Sequence, residues 1–240
     1  MTVAVSSFED AFRRAREVEG WLTDAQARRL WDRTVEAGPG ARVVEIGSFR
    51  GRSTIVLAHA THGGSVVAID PHGGTDRGPR EITTSVAHGE RDAAAFRRNL
   101  ERAGVAELVE HVRLPSQEAL SSVGGSADLL YVDGAHRYRP ARDDIARWGL
   151  RVRPGGTMLV HDAFSSIGVT LALVRTMFLG SAFAYTGRTR SLAEYRRAEL
   201  RGSERVRNLM RQVSELPWFA RNLLMKIALV MRLRSGDWPY

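Results

Sequence analysis

Cysteine is absent from the 240 residues. That excludes disulfides, thiolate-bound metals and a cysteine nucleophile, and it fits a reducing, cytoplasmic setting. Lysine is nearly absent: Lys226 stands alone beside 34 arginines. No uninterrupted apolar run approaches the about 18 residues of a membrane span, and Met1 to Asp10 lacks the basic start and apolar core of a secretion signal. The charge of +8 is uneven, since residues 201–240 hold 8 basic and 3 acidic residues and so carry +5 of it. A basic tail on a near-neutral body points to a local anionic surface and away from a nucleic-acid groove, and no aromatic-basic face is evident.

What is there centres on Arg42 to Ser53. A β-branched pair, Val43-Val44, leads to Glu45, then to Gly47 and Gly51, and an apolar helical run follows at Ile55 to Ala58. Strand, glycine turn and helix form the unit that binds nucleotides at the carboxyl end of a parallel strand. A dinucleotide fingerprint needs glycines at 47, 49 and 52, but Phe49 and Arg52 stand at the last two. A second strand, Ser65 to Ile69, ends in Asp70, where a carboxylate can accept from both hydroxyls of a ribose. A third, near Val109 to Arg113, precedes Ser116-Gln117. The fourth, from Asp128, ends in Asp133, and the fifth, opened by Pro154-Gly155-Gly156, ends in His161-Asp162, with a crossover helix over Tyr138 to Leu150 between them. Two acids at one ligand-binding edge call for a cation, a proton or a basic substrate between them. His136, three residues past Asp133, can exchange a proton near neutrality.

Glu45-Ile46-Gly47 with Gly51 resembles motif I of the class I S-adenosylmethionine (SAM) methyltransferases, whose donor carries an ammonium and no pyrophosphate. Val132-Asp133-Gly134-Ala135-His136, the Pro-Gly-Gly turn and His161-Asp162-Ala163-Phe164 are similar to the small O-methyltransferases of sugars and natural products, a likeness spanning about residues 40–197. The resemblance implies an α/β, Rossmann-like sheet of seven mostly parallel strands with a C-terminal antiparallel hairpin. It implies SAM held by Glu45, Gly47, Ser48, Gly51, Ser53, Asp70, Ser116 and Gln117. Metal-dependent members bind a divalent ion after strands four and five. Here Asp133, His161 and Asp162 match those positions, with His161 where an acid is common and Ala163 where catechol-type enzymes have an amide ligand. Oxygen ligands favour Mg²⁺, and a histidine shifts the preference to Mn²⁺. His136 matches the general base, acting with Asp133. The implied reaction is methyl transfer to a hydroxyl of a small molecule, of sugar, glycosylated natural product or glycolipid type. No Asn/Asp-Pro-Pro-Tyr/Phe stretch follows strand four, which disfavours base N-methylation. Two other readings stay open: an NAD(P)-type oxidoreductase, and a non-catalytic membrane-surface or partner-binding protein on the same fold.

The expected organisation is N-terminal helices over 1–39, a SAM-binding domain over 40–197 and basic amphipathic helices over 198–240. The Gly-rich stretch 71–90, with His72 and His88, reads as a lid or substrate loop. A hairpin is expected around Gly187, and two tail helices broken at Pro217. In the last helix Leu216, Phe219, Leu223, Ile227 and Val230 form one stripe, with Arg221 and Arg232 opposite. Such a helix docks on its own domain, pairs with a second subunit, or lies at the inner membrane surface through residues 217–234.

Overall fold

The computed structural model describes residues 7–74 and 85–231. Seven strands form one sheet in the order β3-β2-β1-β4-β5-β7-β6. They are β1 (Arg42–Ile46), β2 (Ser65–Ile69), β3 (Val109–Val112), β4 (Ala127–Val132), β5 (Val152–Val160), β6 (Phe183–Thr189) and β7 (Leu192–Arg197). The first five are parallel; β7 runs antiparallel to both β5 and β6.

Successive strand residues point to opposite faces, and both faces are covered. Val43, Val66, Leu129 and Leu159 share one core with helices α1 (Phe8–Arg16), α2 (Asp24–Ala37), α3 (Arg52–Ala60) and α4 (Val86–Ala103). Val44, Ile46, Leu130 and Met158 share the other with α5 (Ser116–Ser122), α6 (Tyr138–Asp143) and α7 (Ile167–Thr176). Double coverage explains why the inner strands β2 and β4 read as nearly continuous apolar runs, whereas the edge strand β3, Val-Glu-His-Val, is only partly covered. The strand order reverses between β1 and β4, so a crevice opens at their carboxyl ends.

Several local expectations are corrected. Helix α4 begins at Val86, its Ser85 cap accepting from the His88 N–H, and so takes the last five residues of the expected loop; residues 75–84 of that loop lie outside the described residues. The Pro154-Gly155-Gly156 segment lies within β5 as a bulge between the Ala127↔Val152 and Leu129↔Thr157 pairs. Gly187 is likewise a bulge, at φ 135°, and the hairpin turns at Arg190. The crossover helix α6 finishes in a π-helical turn, Asp144–Trp148.

The tail folds back as α8 (Ser203–Val213) and α9 (Leu216–Val230). Pro217 sits in the first turn of α9, where its missing N–H costs no helical bond. Asn208 of α8 accepts from the Tyr185 N–H at 2.7 Å and donates to the Phe183 carbonyl at 3.2 Å. Leu216, Trp218 and Phe219 of α9 pack on the core, and the Arg188 guanidinium lies over the Trp218 ring. The expected apolar stripe faces inward at its start, through Leu216 and Phe219, but not further on: Ile227 is 45% exposed, while Asn222, outside the stripe, is fully buried. Its Nδ2 donates there to the Phe164 carbonyl at 3.2 Å, and its Oδ1 has no hydrogen-bond partner among the described residues. Among the described residues no helix is long and apolar enough to cross a membrane.

Candidate active site

The ends of β1, β4 and β5 are laced together by main-chain hydrogen bonds, Asp133 N–H to Ile46 at 2.8 Å and His161 N–H to Val132 at 2.9 Å. At the bend after β1, Gly47 has φ +87°, and a Cβ there would stand 2.1 Å from the Asp133 carbonyl oxygen. Only glycine fits. Gly51, at φ +91°, caps α3, with Phe96 packed against it.

Glu45 lies beneath this bend rather than in the crevice. It is fully buried and accepts hydrogen bonds from the Ser53 and Thr54 hydroxyls, so Glu45 and Ser53 clamp the first turn of α3 onto β1. Burial pushes the Glu45 carboxyl up to about 8; the two hydroxyls oppose the shift, and the charges of Asp133 and Asp70 add to it. A carboxyl with a folded pKa above its free value holds its proton longer in the native state, so stability falls as pH rises from about 4.5 towards 8. Relative to wild type, Glu45→Gln is expected to become progressively more stable over that window, by up to about 1.4 kcal/mol per pH unit. Urea denaturation at pH 5, 6.5 and 8 measures this, and a pH-independent difference would show that Glu45 is anionic throughout.

Asp70 accepts from the Phe49 and His72 N–H groups, each at 2.8 Å, which ties the bend to the end of β2. Two of its about four lone-pair sites stay available. His72 is buried, its Nδ1 3.9 Å from Asp70 Oδ1 and its Nε2 3.0 Å from that of His111. Ser116 and Gln117 both donate to Asp144, Gln117 at 2.8 Å. Asp144 was not among the expected site residues. Burial raises its carboxyl to about 6 against those two hydrogen bonds, and a Cβ on Gly134 would lie 3.2 Å from its Oδ2. Two buried atoms at this sheet edge, Ser48 Oγ and Gln117 Oε1, have no hydrogen-bond partner among the described residues. Unspent polar groups at the carboxyl edge suit a polar cofactor better than an empty apolar slot would.

Across the crevice, Asp133 is the centre of a cluster. Its Oδ2 accepts from Tyr131 Oη at 2.8 Å, and its Oδ1 lies 3.0 Å from His161 Nδ1 and 3.9 Å from His136 Nε2. Asp162 closes the group, its Oδ2 3.2 Å from His136 Nε2 and its Oδ1 4.0 Å from His161 Nδ1. Burial alone would lower the pKa of His161, but the Asp133 and Asp162 carboxylates raise it to about 9. His136 is raised in the same way, against its burial, by Asp133 and Asp162. Burial would raise Asp133, and the two imidazoles hold it well below the usual carboxylate range.

Asp133, His136 and His161 each offer a ligand atom within 4.8 Å of the others, and the buried Nε2 of His161 has no hydrogen-bond partner among the described residues. A mixed imidazole and carboxylate donor set fits a divalent transition ion better than Mg²⁺. His136, expected as a base alone, thus lies among the atoms that could hold an ion, with Asp133 and His161; Asp162, expected as a ligand, is not one of those three but lies 3.2 Å from His136 Nε2.

Comparison with known proteins bears on the fold and the family. The pattern defining the methyltransferase domain matches residues 44–163, half of the chain, from β1 through both crevice acids. A catechol O-methyltransferase of Mycobacterium tuberculosis is 31% identical over 122 residues, half of this chain; the chain thus spans about half (47%) of that relative's length. The cofactor-bound Rv0187 protein from MTB superposes with a TM-score of 0.58 at 24% identity, over 82% of this chain and 93% of its own. The O-methyltransferase TomG from Streptomyces achromogenes, solved in complex with SAM, gives 0.50 at 23% identity, over 83% and 93%. These two likenesses bear on the fold alone. With the pattern match covering strands β1 to β5, the chain belongs to the methyltransferase-domain family.

Proposed function

We propose that this protein is a SAM-dependent O-methyltransferase acting on a hydroxyl of a small molecule, a sugar or glycosylated natural product or glycolipid, with help from a divalent ion. The observation that carries the reading is the Asp133–His136–His161–Asp162 cluster set beside the Gly47 bend at one strand edge. The catechol O-methyltransferase relative supports the oxygen acceptor.

SAM, a sulfonium, brings an already activated methyl group, so the protein's task is alignment and proton removal. Gly47 and Gly51 shape the bend that would face the donor, Gly47 by letting it pass close to the Asp133 carbonyl and Gly51 by lying against Phe96; Ser48 and Gln117 offer their unspent polar atoms, and Asp70 keeps lone pairs for a ribose. Glu45 and Ser53 serve it from beneath by holding the helix that presents the bend. Asp133, His161 and Asp162 would hold the ion, which leaves the His136 lone pair for the acceptor's proton. When bound, a divalent ion would supply positive charge that acidifies an acceptor hydroxyl and opposes the upward pull of Asp133 and Asp162 on the His136 pKa. His136, 46% exposed at the mouth of the cluster, is placed to take the acceptor's proton and pass it to solvent.

Calorimetry with SAM and with Mn²⁺, joined to a radiolabelled methyl-transfer assay on catechols and on sugars with vicinal hydroxyls, tests the reading. SAM binding with transfer that EDTA abolishes is the expected result. NAD binding without SAM binding would overturn it in favour of an oxidoreductase.

A further inference from the structure

Asp162 sits in a turn of costly backbone. Asp162 itself has φ 53° and Phe164 φ 55°, left-handed conformations that residues with a Cβ avoid. Asp162 accepts at its carbonyl from Ser165 N–H at 3.2 Å and Ser166 N–H at 2.9 Å, and Ala163 N–H donates to Ser191 at 2.9 Å. Such a turn persists only where its surroundings over-determine it. Ser166 Oγ also donates to the His136 carbonyl at 3.3 Å, and a further restraint comes from α9, which lies outside the matched methyltransferase region. Asn222, fully buried, donates through Nδ2 to the Phe164 carbonyl at 3.2 Å. One helical turn on, Lys226, the single lysine of the chain, donates through Nζ to the Ser165 carbonyl at 2.9 Å and to Ser165 Oγ at 3.2 Å. Residues at i and i+4 share a helix face, so the two grip consecutive carbonyls of the turn from one side.

We propose that Lys226 and Asn222 are positioning residues: by holding the Ser165 and Phe164 carbonyls they fix the left-handed turn that aims the Asp162 carboxylate at His136. The tail helix is then a wall of the site. The inference rests on the reading of the cluster as a cation site for methyl transfer, and it gives the tail, beyond the matched domain, a part in that site. An amphipathic helix that merely covered the core would place apolar side chains against this turn, and α9 instead turns Asn222 inward and Ile227 outward.

The test uses the full chain with Lys226→Met, which keeps the aliphatic stem, and with Asn222→Ala and Lys226→Arg. Both disruptive variants are expected to bind S-adenosylhomocysteine within twofold of wild type and Mn²⁺ about tenfold more weakly, the range seen when groups that orient metal ligands are removed. Lys226→Arg, which keeps a donor, should recover most of the loss. Crystal structures of wild type and Lys226→Met should show the Asp162 carboxylate turned away from His136 in the variant. Unchanged Mn²⁺ affinity together with an unmoved Asp162 would overturn the proposal. If wild type binds S-adenosylhomocysteine but not Mn²⁺, the metal falls from the functional reading and the crystal comparison alone decides: a displaced Asp162 sustains the positioning role, and an unmoved one ends it.

Discussion

Asp133→Asn is expected to lower methyl transfer about 10³-fold while leaving S-adenosylhomocysteine binding within threefold. The change keeps shape and an acceptor for Tyr131 Oη, which lies 2.8 Å from Oδ2. What it removes is the charge facing His161 at 3.0 Å and His136 at 3.9 Å. An amide cannot balance two imidazoles, and it is a far weaker ligand for a divalent ion than a carboxylate. Taking one partner from a buried charge cluster also costs stability, here about 1–3 kcal/mol after allowance for the 26% exposure of the Asp133 side chain. The transfer assay, run with whichever acceptor wild type accepts, and a thermal melt measure the two effects separately. Transfer within tenfold of wild type would remove Asp133 from the chemistry.

Gly47→Ala should be the most damaging change to the fold near the site. The added Cβ would meet the Asp133 carbonyl oxygen at 2.1 Å, its carbon at 2.6 Å and Gly134 Cα at 2.9 Å. All three are backbone atoms, so no side chain can rotate away. The left-handed φ adds its own penalty, and the sum is about 2–5 kcal/mol from strain and overpacking together. Relief would require β1 and β4 to part at the crevice, so donor binding should be lost as well. Gly38→Ala is the control, because Gly38 shares a positive φ of +97° but has nothing within 4 Å of a Cβ. Its expected cost is the conformational part alone, about 1–2 kcal/mol. Equal losses in the two variants by urea denaturation would show that the close approach of the strands at Gly47 is not what demands glycine.

Much of the architecture could be read before folding was considered. Four of the five parallel strands, β1, β2, β4 and β5, are largely buried and stand out as apolar stretches, each closed by the glycine or acid that ends it; the edge strand β3, Val-Glu-His-Val, is only partly covered and carries a weaker signal. Local geometry was harder. Gly187 and the Pro154-Gly155-Gly156 segment both look like turns, since a chain that can adopt positive φ serves a bulge as readily as a hairpin. Only the pairing of strands distinguishes them. Ser85 as a cap was hidden inside a Gly-rich stretch, and its helix is secured by the burial of Phe96 and Leu100 against the sheet.

The site divides in the same way. Which residues end each strand follows from the chain alone, and with it the presence of Asp70, Asp133 and Asp162 at one edge, because parallel strands all bring their carboxyl ends to the same side. Where each side chain goes next is a matter of packing. The pleat assigns Glu45 a face but not a partner, and the packing of α3 against β1 turned it to Ser53 and Thr54 beneath the bend. Asp144 and Lys226 carry no signal of their own; one becomes part of the site because α6 ends in a π-turn under Ser116 and Gln117, the other because α9 folds back over Ser165. The order of residues thus determined the strands, the glycine bend and the acids at their ends. The tertiary structure alone decided which of those acids meet, and which distant helices hold them, since contacts between residues far apart in sequence exist only once the layers have packed.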